Sequence, residues 1–233
     1  MSKVIVITGT RKGLGKELCE YYLERGHTII GCSRGASEIA HSNYTHYELD
    51  VADEKMVVKL VKEVSRNFKH IDVLINNAGI ASMNHMLLTP FRTVQDIFST
   101  NYFGTFLFCR EVAKVMSRKK YGRIVNFTTV ATPLRLEGEI VYANSKAAIE
   151  NFTEIASREL AEFNITVNAV GPTPIPTDLI KNVSKDKMEA LISRQAIKRF
   201  GNFEDLVNVI NFFIDDKSDF ITGQILYLGG VNR

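Results

Sequence analysis

Val4-Ile5-Val6-Ile7-Thr8-Gly9-Thr10-Arg11-Lys12-Gly13-Leu14-Gly15 decides the fold. Val4–Ile7 is four β-branched residues with no polar partner, the composition of a strand covered on both faces. Three glycines follow in a G-x-x-x-G-x-G loop, and a helical pattern runs from Gly13 to Arg25 and stops at Gly26. Glycines at a strand-to-helix turn let the backbone come close to a pyrophosphate, and the helix N-terminus adds N–H groups and partial positive charge. The loop therefore points to a dinucleotide, held by Gly9, Thr10, Arg11, Lys12, Gly13, Leu14 and Gly15.

The same alternation continues outward. Strand patterns lie at 27–32, 45–49, 71–75, 123–127, 165–170 and 224–228, and helical ones at 98–118, 142–163 and 204–214. Asp53 stands where a helix N-cap should, ahead of Val57, Leu60, Val61 and Val64 at i, i+3, i+4 and i+7. Strand and helix in turn predict an α/β fold, a doubly wound parallel sheet of Rossmann type. The expected organisation is a single domain over 1–233, with a weakly patterned insertion at about 173–200 acting as a substrate lid.

Composition limits the function. Of 233 residues, 45% are hydrophobic and 24% charged, enough for a full core. Lys+Arg 29 against Asp+Glu 26 gives a net +3, too little for a nucleic-acid partner. Three cysteines (Cys19, Cys32, Cys109) without ligand spacing predict free thiols and no metal site. No run of about 18 apolar residues exists and the chain enters a strand at once, so neither a membrane span nor a signal peptide is expected. The expected location is the cytoplasm.

A dinucleotide loop leaves NAD and NADP open. An NAD site carries an acid at the end of the second strand. Here that place reads Cys32-Ser33-Arg34, and no carboxylate occurs in Thr28–Gly35. Ser33 and the Arg34 guanidinium suit a 2′-phosphate, so NADP(H) is the expected cofactor. Tyr142 and Lys146 lie four apart on one face of a helix. Hydride addition to a carbonyl needs a proton donor, and an ammonium near a phenol stabilises the phenolate and makes that donor more acidic.

Taken together, Thr8–Gly15, Asn76-Asn77-Ala78-Gly79, Asn101, Tyr142–Lys146 and Val167–Pro172 resemble the short-chain dehydrogenase/reductase family along essentially the whole chain. Lys198–Gly201 and Ile221–Gln224 are similar to its 3-oxoacyl-(acyl-carrier-protein) reductase branch. The resemblance implies Tyr142 as proton donor, Lys146 as its partner and Asn101 as anchor of a water that links Lys146 to solvent. It implies Asp50 and Val51 beside adenine and Asn76, Asn77, Ala78 and Gly79 along the cofactor. Pro172, Ile175 and Thr177 would complete that site near the carboxamide. The expected activity is NADPH-dependent reduction of a keto group in a biosynthetic pathway, on a 3-oxoacyl thioester or a keto-sugar. Oxidation of an alcohol by the same site, and a silent cofactor-binding regulator, are the alternatives. A homodimer or homotetramer is implied.

Three positions depart from the family. Thr129 stands where its serine, 13 residues before the tyrosine, is expected; it keeps a hydroxyl but crowds the pocket. Thr173 replaces the glycine after Pro172. Leu228 replaces an aspartate before Gly229-Gly230, which puts a C-terminal contact in doubt. His85, Arg135 and Glu137 are candidate substrate contacts, although a solvent-facing histidine is the plainer reading of His85. His27, His41, His46 and His70 read as structural or exposed.

Overall fold

Every residue of strand β1 (Val4–Thr8) is buried, and alternate side chains serve opposite cores. Val4 and Val6 join one cluster with Leu60, Phe108 and Met116, while Ile5 and Ile7 join a second with Leu18, Leu206 and Phe213. A strand apolar at every position is thus explained by helices on both faces. The structure is a computed structural model, which describes residues 2–177, 180 and 183–232.

After β1 come α1 (Gly13–Glu24), β2 (Thr28–Ser33), β3 (Tyr44–Glu48), α2 (Glu54–Phe68) and β4 (Val73–Asn76). The second half holds α3 (Phe91–Phe98), α4 (Gly104–Lys119), β5 (Gly122–Phe127), α5 (Ala131–Leu134) and α6 (Ile140–Glu159). Then follow β6 (Ile165–Gly171), α7 (Lys185–Ser193), α8 (Phe203–Ile214) and β7 (Ile225–Tyr227). All strand pairs are parallel, in the order β3-β2-β1-β4-β5-β6-β7. The order reverses between β1 and β4, and ligands of doubly wound sheets bind beyond the strand ends at such a switch.

The expected doubly wound sheet is the observed one, and most boundaries agree within a residue or two. Asp53 caps α2, its side chain accepting from the Met56 amide. One expectation needs correction. The helix read over 98–118 begins seven residues earlier at Phe91, with Pro90 at its N-cap, and a π-helical turn (Ser99–Phe103) joins α3 to α4. The weakly patterned stretch 173–200 contains α7; its residues 178, 179, 181 and 182 lie outside the described residues. The Gly229 carbonyl accepts from the Ala196 and Ile197 amides, at 3.0 and 3.1 Å.

Candidate active site

The loop after β1 is fixed by its neighbours rather than by its own side chains. The Gly9 amide donates to the Cys32 carbonyl (2.8 Å), and Asn77 Nδ2 donates to the carbonyls of Thr8 (2.9 Å) and Gly9 (3.2 Å). The Ala78 amide donates to Thr8 Oγ1 at 3.0 Å, so the loops after β1 and β4 form one unit. Gly15 is required by that closeness: a Cβ there would stand 2.1 Å from the Gly9 carbonyl oxygen. Gly13, at φ +58°, has no atom within 4 Å of where its Cβ would be. Among the described residues no side chain caps α1, and an uncapped first turn leaves N–H groups without an intrahelical partner. An open glycine, uncapped helix donors and a crevice between β1 and β4 fit the pyrophosphate of a dinucleotide.

At the end of β2 the chain is likewise held from below. Ser33 Oγ donates to the Gly35 carbonyl (2.7 Å), and His46 on β3 lies 3.0 Å from that oxygen through Nε2. Tyr44 Oη is 2.9 Å from His46 Nδ1 and 3.2 Å from Thr10 Oγ1. His46 is therefore structural, as expected. Arg34 and Lys12 are exposed, and Arg11 Nη1 lies 3.1 Å from where a Gly35 Cβ would be. Two guanidinium-bearing residues thus border the loop that follows β2.

A second set of bonds assembles the groups after β4, β5 and α6. Asn101 is fully buried in the π-helical turn; its Oδ1 accepts from the Ile80 amide (2.9 Å). Its Nδ2 donates to the Ile80 carbonyl (3.0 Å) and to Ser145 Oγ (3.0 Å). Ser145 in turn donates to the Tyr142 carbonyl at 2.7 Å. Lys146 is 4% exposed and donates through Nζ to the Phe127 carbonyl at 2.8 Å. A Cβ on Gly79 would stand 3.4 Å from Asn101 Oδ1 and 3.5 Å from Lys146 Nζ, so these groups converge on one spot. The Thr129 hydroxyl accepts from the Ala131 amide at 3.2 Å, and Thr129 and Tyr142 line one cavity.

The electrostatics differ from the simple expectation for Tyr142. Burial, with the charge of Glu139 adding to it, pushes its phenol up to about 12, and the opposing pull comes from the Thr129 hydroxyl rather than from Lys146. Lys146 is itself pulled down to about 8 by desolvation, and its donor is engaged by Phe127. The pair is a protonated phenol beside an amine that titrates near neutrality.

The crevice, the loop and the Tyr-Lys-Asn group match a known family. Residues 3–188 match the family model described as short chain dehydrogenase. This chain belongs to that family. The 3-oxoacyl-[acyl-carrier-protein] reductase FabG of Staphylococcus epidermidis is 30% identical over 240 residues, covering 99% of this chain and 98% of the relative. The same-named protein of Escherichia coli K12 is 29% identical over 98% of this chain and 96% of its own length. Among solved structures, ElxO with NADP bound superposes with a TM-score of 0.89 at 29% identity, covering 99% of this chain and 98% of ElxO.

In this short-chain dehydrogenase a cavity of about 560 Å³ opens in front of Thr129 and Tyr142. Leu14, Pro172, Ile175 and Thr177 line it, as do Ile180 and Val183 and, from α7, Met188 and Leu191. Asp50 and Val51 stand apart, Asp50 accepting from the Ala52 amide and Val51 buried against Gly104. Two candidate substrate contacts lie outside the cavity lining. Exposed His85 caps the 3₁₀ turn Met86–Leu88 by accepting from the Leu87 amide, and it does not line the cavity. Arg135 ends α5 in a left-handed conformation (φ +50°), exposed and outside the lining. Glu137 does line it. Sequence reading missed Ser145 and Glu139. Ser145 lies three residues after Tyr142 on its helix and Glu139 is that helix's N-cap residue, three before it, which was the available signal.

None of the described helices is long and apolar enough to cross a membrane. The three cysteines are free and buried, and desolvation raises each thiol, Cys32 and Cys109 to about 12.

Proposed function

We propose that this chain reduces a keto group to a secondary alcohol with NADPH. The observation that carries this is the Tyr142–Thr129 hydroxyl pair at the wall of the cavity, with Lys146 and Asn101 bonded behind it. The glycine loop (Gly9 to Gly15) would hold the pyrophosphate through backbone N–H groups, and Ser33 and Arg34 the 2′-phosphate. Asp50, Val51, Asn77, Ala78 and Gly79 would follow the adenosine and ribose, and Pro172, Ile175 and Thr177 the carboxamide. NADPH, when bound, supplies a hydride.

The rest is done by the protein. Thr129 and Tyr142 together present two hydroxyls to the carbonyl oxygen, orienting it and stabilising charge as it develops there. Tyr142 then gives up its proton to that oxygen, and a phenol held near 12 is still protonated at neutral pH, ready to donate. Lys146 replaces the proton, with Asn101 keeping the path behind it in register. Residues 173–200 act as the lid, α7 closing the apolar side of the cavity and limiting water.

Two measurements test the outer parts of this reading. Fluorescence titration should show NADPH binding at least tenfold more tightly than NADH, and Arg34→Ala should weaken NADPH about tenfold or more with little effect on NADH. Equal affinity for the two would refute the assigned 2′-phosphate site. Exposed Phe103, Phe106 and Ile155 on the α4 and α6 side suit a face shared between copies. Sedimentation at micromolar concentration is expected to give a dimer or tetramer; a monomer would count against that face.

A further inference from the structure

One group in the cavity acts on the proton donor only through its charge. Glu139 stands at the N-terminal end of α6, three residues before Tyr142, and lines the same cavity. It is 8% exposed, its side chain does not cap the helix, and its Oε2 has no hydrogen-bond partner among the described residues. Desolvation raises its carboxyl above the usual range, and Lys187 opposes that only through charge, its Nζ lying 3.6 Å from Met83 Sδ. Met83, Leu136, Met188 and Leu191 supply an apolar surround. A carboxyl group taken from water and given no donor is unfavourable, and such orphans in native proteins call for a partner that completes them.

We propose that Glu139 reads a hydroxyl group on the substrate, so that the site takes hydroxylated ketones in preference to unsubstituted acyl chains. This rests on the reading of the site as a ketone reductase. Glu139 is the N-cap residue of the Tyr142 helix, lines the same cavity and acts on the Tyr142 phenol through its charge, so a hydroxyl only a few bonds from the carbonyl held by Tyr142 reaches the carboxyl oxygen. An alkyl chain in the same place leaves that oxygen buried and unpaired, and polar sites reject analogues that lack the matching group. An amine is the poorer match, because Lys187 and Arg194 also line the cavity.

Matched ketones of one shape give the test: hydroxyacetone against butanone, and dihydroxyacetone against diethyl ketone, with an acetoacetyl thioester alongside. With NADPH, the wild-type kcat/KM is expected to favour the hydroxylated member of each pair by tenfold or more. Glu139→Gln, which keeps an acceptor, should retain most of that ratio, and Glu139→Leu should bring it to about one or below. A ratio within one preparation does not depend on how much protein is folded, so a merely structural role would leave it unmoved. A wild-type ratio near one, or a ratio unchanged in Glu139→Leu, would overturn the assignment while leaving the reductase intact. NADPH binding without turnover of any of the five compounds would instead overturn the reductase reading, and this one with it.

Discussion

Tyr142→Phe is expected to lower kcat by about 10²–10⁴-fold while leaving the NADPH dissociation constant within about twofold of wild type. The variant keeps the ring, and with it the packing at the head of α6, but it has no proton to give. Its carbonyl bond is also carried by the main chain, since Ser145 donates to the Tyr142 carbonyl and not to the phenol. The backbone at this turn is therefore indifferent to the change. Thr129 still accepts from the Ala131 amide, so it is not left unpaired. Stopped-flow reduction of the preferred ketone, with a melting curve as control, separates the outcomes. A kcat unchanged within threefold in a folded variant would show that Tyr142 is not the proton donor.

How far such a site is legible in a sequence depends on the range of the interactions that build it. Gly9, Gly13 and Gly15 were readable because the requirement is local, a backbone turn where a Cβ has no room or the conformation is left-handed. Tyr142 and Lys146 were readable from helical spacing, and Asn101 from the family pattern. The π-helical turn around Asn101 was not, since it is a shift in hydrogen-bond register with no residue signature, although Pro90 did mark the true start of the preceding helix. The helix α7 escaped notice because only Met188 on it is buried, too little for a periodic signal. Glu139 escaped for a related reason. The cavity it lines is shared with α7, nearly fifty residues away, and the charge that acts on it, Lys187, sits there, a proximity that spacing does not encode. His85 and Arg135 looked chemical by residue type and loop position, but local turn geometry uses His85 as a cap and leaves Arg135 at an exposed left-handed end.

Lys146→Met should reduce turnover by two orders of magnitude or more and should also change how stability and rate respond to pH. Lys146 falls from an ordinary 10.5 to about 8 in the folded protein because its ammonium is desolvated. A lowered amine pKa means that the folded state holds fewer protons than the unfolded one between about pH 8 and 10.5, so wild-type stability gains from this group as pH rises through that window. Below it the buried ammonium costs about 3 kcal/mol, which the methionine does not incur. Against this, the variant leaves the Phe127 carbonyl without its donor, a loss of about 1–3 kcal/mol that does not vary with pH. The difference between the two proteins in urea unfolding should therefore move in favour of wild type by about 2 kcal/mol between about pH 7 and pH 9.5. The same proton sets the rate. Reduction consumes a proton relayed by Lys146, so wild-type kcat/KM for the ketone should fall as pH rises through about 8, and the reverse oxidation should rise. In the variant this inflection should vanish, leaving a residual rate that is flat across the window. An inflection that persists unchanged in Lys146→Met would assign it to another group and remove Lys146 from the proton path.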